Sequence, residues 1–176
     1  MKKRLLFIIP ALASGLFCGP LHARQAPPTP MDSFTVCFFL LEDCMITQAY
    51  TDVLQSLYRE YANDSIGFWG GFPNPVSDEG SMEGFVKKYG LPFPCSVEGA
   101  HQLAKAFAVS VTPEVVVFNE TAGRVVYQGR IDNLFERVGK RRRVVTFHEL
   151  KDALEAIRTN VAVPVARTTA VGCILN

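Results

Sequence analysis

Cys44 is the residue whose type and place in this chain are best suited to chemistry. It stands in Val36-Cys37-Phe38-Phe39-Leu40-Leu41-Glu42-Asp43-Cys44-Met45-Ile46-Thr47-Gln48, where an apolar run stops and a helical pattern begins. A thiol at a strand-to-helix turn lies at the positive end of the helix dipole, which favours its thiolate and keeps the sulfur accessible. Thr47, one turn on, brings a hydroxyl that can also support a thiolate. Glu42 and Asp43 act the other way by placing negative charge beside it. The reactions open to such a thiolate are exchange with a disulfide and reduction of a peroxide. Far downstream, Val111-Thr112-Pro113-Glu114-Val115-Val116-Val117-Phe118 is a Thr-Pro step opening a second apolar strand.

The elements that must hold these residues follow from the hydrophobic pattern. Residues 35–41 form a continuous apolar run rich in β formers, which predicts a buried central strand. Cys37 lies inside it and reads as inert core packing. Ile46, Tyr50, Val53, Leu54, Leu57, Tyr58 and Tyr61 recur at helical spacing. Residues 66–70 predict a second short strand, followed by a proline-bearing loop. Met82, Phe85, Val86 and Tyr89 mark a helix closed by Gly90. Pro92 and Pro94 force an extended segment. Ala100, Leu103, Ala104 and Phe107 mark a further helix. Residues 115–118 and 125–128 predict an antiparallel hairpin. Thr146 and Glu149 have the spacing of a capping box for a last helix with Leu150, Ala153, Leu154 and Ile157 inside. The order β-α-β-α-α-β-β-α predicts an α/β fold, a mixed central sheet with helices on both faces in three layers.

The chain has 176 residues and a net charge of +1, which gives no reason to expect a nucleic-acid partner. Residues 1–23 read as a signal peptide. Lys2, Lys3 and Arg4 precede an apolar core of about 13 residues, and Leu21-His22-Ala23 offers a cleavage site. That core is short of the roughly 20 residues of a membrane span, so no stable span is expected after cleavage. Residues 24–32 read as a Pro-rich linker, residues 33–160 as the folded domain, and residues 161–176 as an extended C-terminal tail carrying Cys173. The expected location is periplasmic or extracellular, with an uncleaved membrane anchor as the less favoured alternative. Cys37, Cys44, Cys95 and Cys173 then remain in an oxidising compartment where disulfides persist, though their spacing assigns no pairing. His22, His101 and His148 are scattered and no metal-ligand spacing occurs, so neither metal nor cofactor is expected. Lys140-Arg141-Arg142-Arg143 is a dense basic run that reads as a solvated loop, with an anion or a partner as the alternative. Arg130 and Asp132 read as a structural ion pair. The sequence assigns no oligomeric state.

From about residue 33 to 157 the chain resembles the thioredoxin-fold redoxin superfamily, which includes the peroxiredoxins and exported thioredoxin-like reductants. Closest are exported bacterial redoxin-domain proteins with an Asp/Glu-Cys-Pro-Ile-Ser-type active turn, here Asp43-Cys44-Met45-Ile46-Thr47. Gly129-Arg130-Ile131-Asp132 and Val171-Gly172-Cys173 match their later motifs. Two patterns are absent. Thr47 stands where a thioredoxin has its second thiol, and Cys37 and Leu41 stand where a peroxiredoxin has the Pro and Thr of P-x-x-x-T-x-x-C.

The resemblance implies an exported redoxin with antioxidant or disulfide-exchange activity, whose substrate is a thiol or disulfide protein or a peroxide. It implies a cis Thr112-Pro113 bond facing Cys44, with Thr112 offering backbone to a bound chain. With Thr47 in place of a thiol, another cysteine must release a mixed disulfide at Cys44. Cys173, behind a glycine in a tail expected to be mobile, is the candidate resolving thiol, and Cys95 is the weaker one. The competing reading is a non-catalytic module that binds a partner through the Cys44–Pro113 face.

Overall fold

The computed structural model describes residues 33–63 and 65–175. The expected leader and linker, residues 1–23 and 24–32, lie outside the described residues.

The first strand, β1 (Phe34–Phe39), is the middle of the sheet. Its β-branched and aromatic side chains suit a strand covered on both faces. Val36, Phe38 and Phe39 are completely buried. The strand ends at Phe39 because the chain then turns, with the Cys44 amide donating to the Leu41 carbonyl at 3.2 Å. Helix α1 (Met45–Tyr61) follows, burying Ile46, Tyr50, Leu54, Leu57 and Tyr61 along one stripe. Next come β2 (Ile66–Gly71) and α2 (Glu79–Tyr89). Asp78 caps α2 by accepting from the Ser81 amide, and Gly90 closes it in the left-handed region at φ 61°. The short strand β3 (Cys95–Ser96), helix α3 (Ala100–Ala106) and two-residue strand β4 (Val111–Thr112) lead to a cis Thr112–Pro113 bond. Strands β5 (Glu114–Asn119) and β6 (Arg124–Gly129) form the expected hairpin. A small hairpin, β7 (Phe135–Arg137) and β8 (Lys140–Arg141), precedes α4 (Glu149–Arg158), and β9 (Cys173–Ile174) is the last element.

The main sheet runs β3-β2-β1-β5-β6. β1 is parallel to β2 and antiparallel to β5, so Phe38 lies between Gly70 and Val115. Side chains alternate across this sheet. Val36, Phe38, Val115 and Val117 join the larger core, which α1, α2 and α4 cover with Leu54, Phe85 and Leu154 among others. Cys37, Phe39 and Val116 point the other way, against Ala104 of α3 and Val109. The result is the mixed, three-layer sheet expected from the pattern.

Several local expectations need correction. The capping box of Thr146 and Glu149 does not form, and α4 has His148 at its N-cap without a side-chain cap. Asn133 binds this segment instead. Its Nδ2 donates to Thr146 Oγ1 at 2.8 Å, and its Oδ1 accepts from the Thr146 and Phe147 amides. Arg130 pairs with Glu149 rather than with Asp132. Asp132 is already occupied, accepting from Tyr50 Oη at 2.6 Å and from the Leu134 amide at 2.8 Å. The basic run is partly ordered as a hairpin rather than a simple loop, because Lys140 and Arg142 both reach Glu136. Leu103 lies on the outer side of α3, 39% exposed, since only Ala100 and Ala104 of that helix are buried.

The tail is also unlike the expected free end. From Val161 to Gly172 it forms neither helix nor strand, yet it is laid along β6. Gln128 exchanges backbone hydrogen bonds with it, its amide donating to the Ala166 carbonyl and its carbonyl accepting from the Thr168 amide, both at 3.0 Å. Thr168 Oγ1 accepts from the Arg130 amide at 3.0 Å and meets Tyr127 Oη at 2.9 Å. Gly129 makes this approach possible. At φ 145°, it has no Cβ to collide with Thr168.

Candidate active site

Cys44 is the N-cap residue of α1, with extended backbone (φ −80°, ψ 114°) and its carbonyl accepting the first helical bond from the Gln48 amide. The turn before it is tied back to the helix. Thr47 Oγ1 accepts from the Leu41 amide at 3.4 Å, and Gln48 Nε2 donates to the Glu42 carbonyl at 2.8 Å. Thr47, at the place of a second thiol, thus fixes the loop that presents Cys44. The Glu42 carboxylate is turned toward α2, accepting from Ser77 Oγ at 2.8 Å and Ser81 Oγ at 2.9 Å. Two hydroxyl dipoles therefore offset the charge that the sequence sets beside the thiol.

Cys44 is bonded to Cys173 as a disulfide, with the two Cα atoms 6.0 Å apart, within the usual span of such a bridge. It is completely buried in this state. Its Sγ lies 3.2 Å from the Thr112 carbonyl oxygen, on the residue before the cis Pro113. In the bridged state the sulfur has no proton, so this is a close S···O contact. After reduction the thiol can donate to the same oxygen.

The tail reaches Cys44 by adding a strand. β9 lies antiparallel to β4, pairing Thr112 with Cys173 and Val111 with Ile174. The Leu175 amide donates to the Ser110 carbonyl at 3.0 Å, extending the ladder by a residue. Gly172 is buried against Thr112, where an added Cβ would overlap the Thr112 carbonyl and approach its amide at 3.0 Å. Thus Cys44, the Thr112-Pro113 step and Cys173, drawn from three distant parts of the chain, meet at one place.

The other two thiols differ. Cys37 faces the smaller core, and burial pushes its pKa up to about 12, with Glu120 adding to the shift. Cys95 lies on β3, at the edge of the sheet beside Gly70, and is not bridged. Burial pushes its thiol up to about 12 as well, so at neutral pH it is the weakly nucleophilic thiol rather than the thiolate. Gln48 and Thr168 carried no signal of a role at the site in the sequence. Gly172 was legible as the glycine preceding the tail cysteine, but not its contact with Thr112. Among the described residues no cluster of His, Cys, Asp or Glu is arranged to hold a metal ion, and no helix is long and apolar enough to cross a membrane.

Comparison of the sequence with family models and with curated proteins finds no match. The structure does match solved structures. It is similar to an uncharacterized conserved protein from Geobacillus kaustophilus, with 22% identity and a TM-score of 0.69, covering 83% of this chain and 78% of that one. A hypothetical protein from Sinorhizobium meliloti is similar at 22% identity and a TM-score of 0.70, over 82% of this chain and 80% of that one. StoA from Bacillus subtilis overlaps less, with 22% identity and a TM-score of 0.48 over 57% of this chain and 75% of that one.

Proposed function

We propose that this protein is an exported thiol–disulfide oxidoreductase of the thioredoxin fold, with Cys44 as nucleophile and Cys173 as resolving thiol. The Cys44–Cys173 bridge is the observation that carries this reading. The reduced Cys44 thiolate, at the start of α1, attacks one sulfur of a substrate disulfide. A Cys44–substrate disulfide forms and the other substrate sulfur leaves as a thiolate. Cys173 then attacks Cys44 Sγ, the second substrate thiol leaves, and the internal bridge forms. The substrate has gained two electrons and the enzyme has lost them. A dithiol protein resets the cycle by the same exchange in reverse. The partner is accordingly a thiol or disulfide protein, and no bound cofactor is needed.

Disulfide exchange is favoured over peroxide reduction because Cys37 and Leu41 replace the Pro and Thr of the peroxidatic pattern. Export rests on the basic and apolar leader of residues 1–23. The role of Thr47 is to hold the Cys44 turn through the Leu41 amide, and that of Thr112 and Pro113 is to line the face that the substrate meets. The reading is tested by insulin reduction with a dithiol donor. Wild type and Cys95→Ser should turn over alike, and Cys44→Ser should be inactive. An inert Cys44 thiol in the reduced protein would support the binding-module reading. Turnover of hydroperoxide but not insulin would assign the peroxide reaction.

A further inference from the structure

The tail is laid on β4 as a substrate chain would have to be, since it brings a cysteine sulfur onto Cys44 through main-chain pairing. Thr112 pairs with Cys173, Val111 with Ile174, and Leu175 bonds Ser110. An exposed strand edge of this kind recruits any extended peptide through its backbone, and specificity comes from the side chains that fit beside it. Here one position has no room. Gly172, immediately before the cysteine, is pressed on the Thr112 backbone, and any Cβ there would overlap the Thr112 carbonyl. The residue after the cysteine, Ile174, is 73% exposed and constrains nothing, whereas Leu175 packs against the smaller core.

Resting on the exchange activity proposed above, we infer that the close approach at the Gly172 position makes the β4 edge selective for extended partner segments in which glycine directly precedes the reactive cysteine. The tail is a tethered copy of that ligand. Its attachment at Thr168, through the Arg130 amide, Tyr127 and Gln128, is separate from its pairing with β4. Reduction of the bridge therefore frees the β4 edge for a partner while Thr168 keeps Cys173 close enough to resolve the product. In the bridged state the edge is closed to partners.

The test uses the full-length reduced Cys173→Ser protein and two synthetic peptides, Thr-Ala-Val-Gly-Cys-Ile-Leu and the same sequence with alanine replacing glycine. Each carries its cysteine as a mixed disulfide with glutathione. Cys44 attacks the peptide sulfur, forming the Cys44–peptide disulfide and releasing glutathione thiolate, which takes up a proton. Mass spectrometry of acid-quenched samples follows the product. The glycine peptide should react about tenfold faster or more, as expected from losing roughly two main-chain hydrogen bonds when the edge cannot be seated. Bis(2-hydroxyethyl) disulfide, too small to span the edge, gives the reactivity of Cys44 itself. Equal rates for the two peptides, with Cys44 reactive to the small disulfide, would overturn the recognition site and leave the exchange activity standing. A Cys44 inert to all three would remove both. Gly172→Ala in the otherwise unaltered chain is an independent check. It should shift the internal bridge about tenfold toward the reduced form in a glutathione buffer, and a bridge as persistent as the wild type's would also count against the site.

Discussion

Breaking the Cys44–Cys173 bridge should cost this protein a large share of its stability. The bridge joins residues 129 apart in sequence. Closing a loop of that length lowers the entropy of the unfolded chain by about 17 cal/mol/K, or ~5 kcal/mol at 25 °C, in the chain-entropy treatment. The folded state loses little in return, because Thr168 still fastens the tail to β6 after reduction. The expected difference between oxidised and reduced wild type is therefore about 3–5 kcal/mol. For a domain of this size, that corresponds to a melting temperature about 10–20 °C lower on reduction. Urea unfolding with and without reductant, followed by the fluorescence of Trp69, measures it. Cys173→Ser is the proper control, and its midpoint should not respond to reductant. Cys44→Ser is not, since serine at the helix N-cap would add about 1 kcal/mol by itself. Coincident curves for oxidised and reduced wild type would refute the reasoning, as would a Cys173→Ser protein as stable as the oxidised form.

Three further outcomes follow from single side chains. Thr168→Val leaves the Arg130 amide without its acceptor and should destabilise by about 1–3 kcal/mol; stopped-flow measurement should also show slower closure of the Cys44–Cys173 bridge. Tyr50→Phe removes the buried donor to Asp132 and should cost about 1.5–3 kcal/mol in chemical denaturation. Glu114, the residue after Pro113, is buried, and burial raises its pKa despite the hydrogen bond from Gln128. Above the ordinary carboxylate pKa the unfolded chain has released this proton while the folded chain still holds it. Stability from this group is therefore present at low pH and is lost as pH rises from the unfolded pKa to the folded one. Glu114→Gln should flatten that decline in a pH series of unfolding curves, and an unchanged slope would show that Glu114 is ionised alike in both states.

The central strand, α1, the 114–129 hairpin and the glycine closing α2 were legible because each rests on local pattern: continuous β formers, helical periodicity, or a left-handed cap. The cysteine at the start of α1 and the Thr-Pro step were legible for the same reason. What escaped was decided by competition among distant partners. Thr146 looked like a cap until Asn133, on another segment, took its amide and hydroxyl. Arg130 had two acids within reach in sequence, and the choice fell to Glu149 because Tyr50 and the Leu134 amide had engaged Asp132. The tail carries no periodicity of its own, so nothing local indicated that it would lie along β6 and pair with β4. Its placement depends on Gly129 and Gly172, whose lack of a Cβ allows close backbone approach to Thr168 and Thr112.

The most direct test of the account is the fate of Cys44 in a single turnover. Reduced wild type and Cys173→Ser are mixed with glutathione disulfide, quenched in acid and mapped by mass spectrometry. Wild type should accumulate the Cys44–Cys173 bridge, and Cys173→Ser should stop as a glutathione adduct on Cys44, with Cys37 and Cys95 unmodified in both. A Cys173→Ser protein that clears the adduct as fast as wild type, or an adduct on any thiol other than Cys44, would contradict the proposed pair.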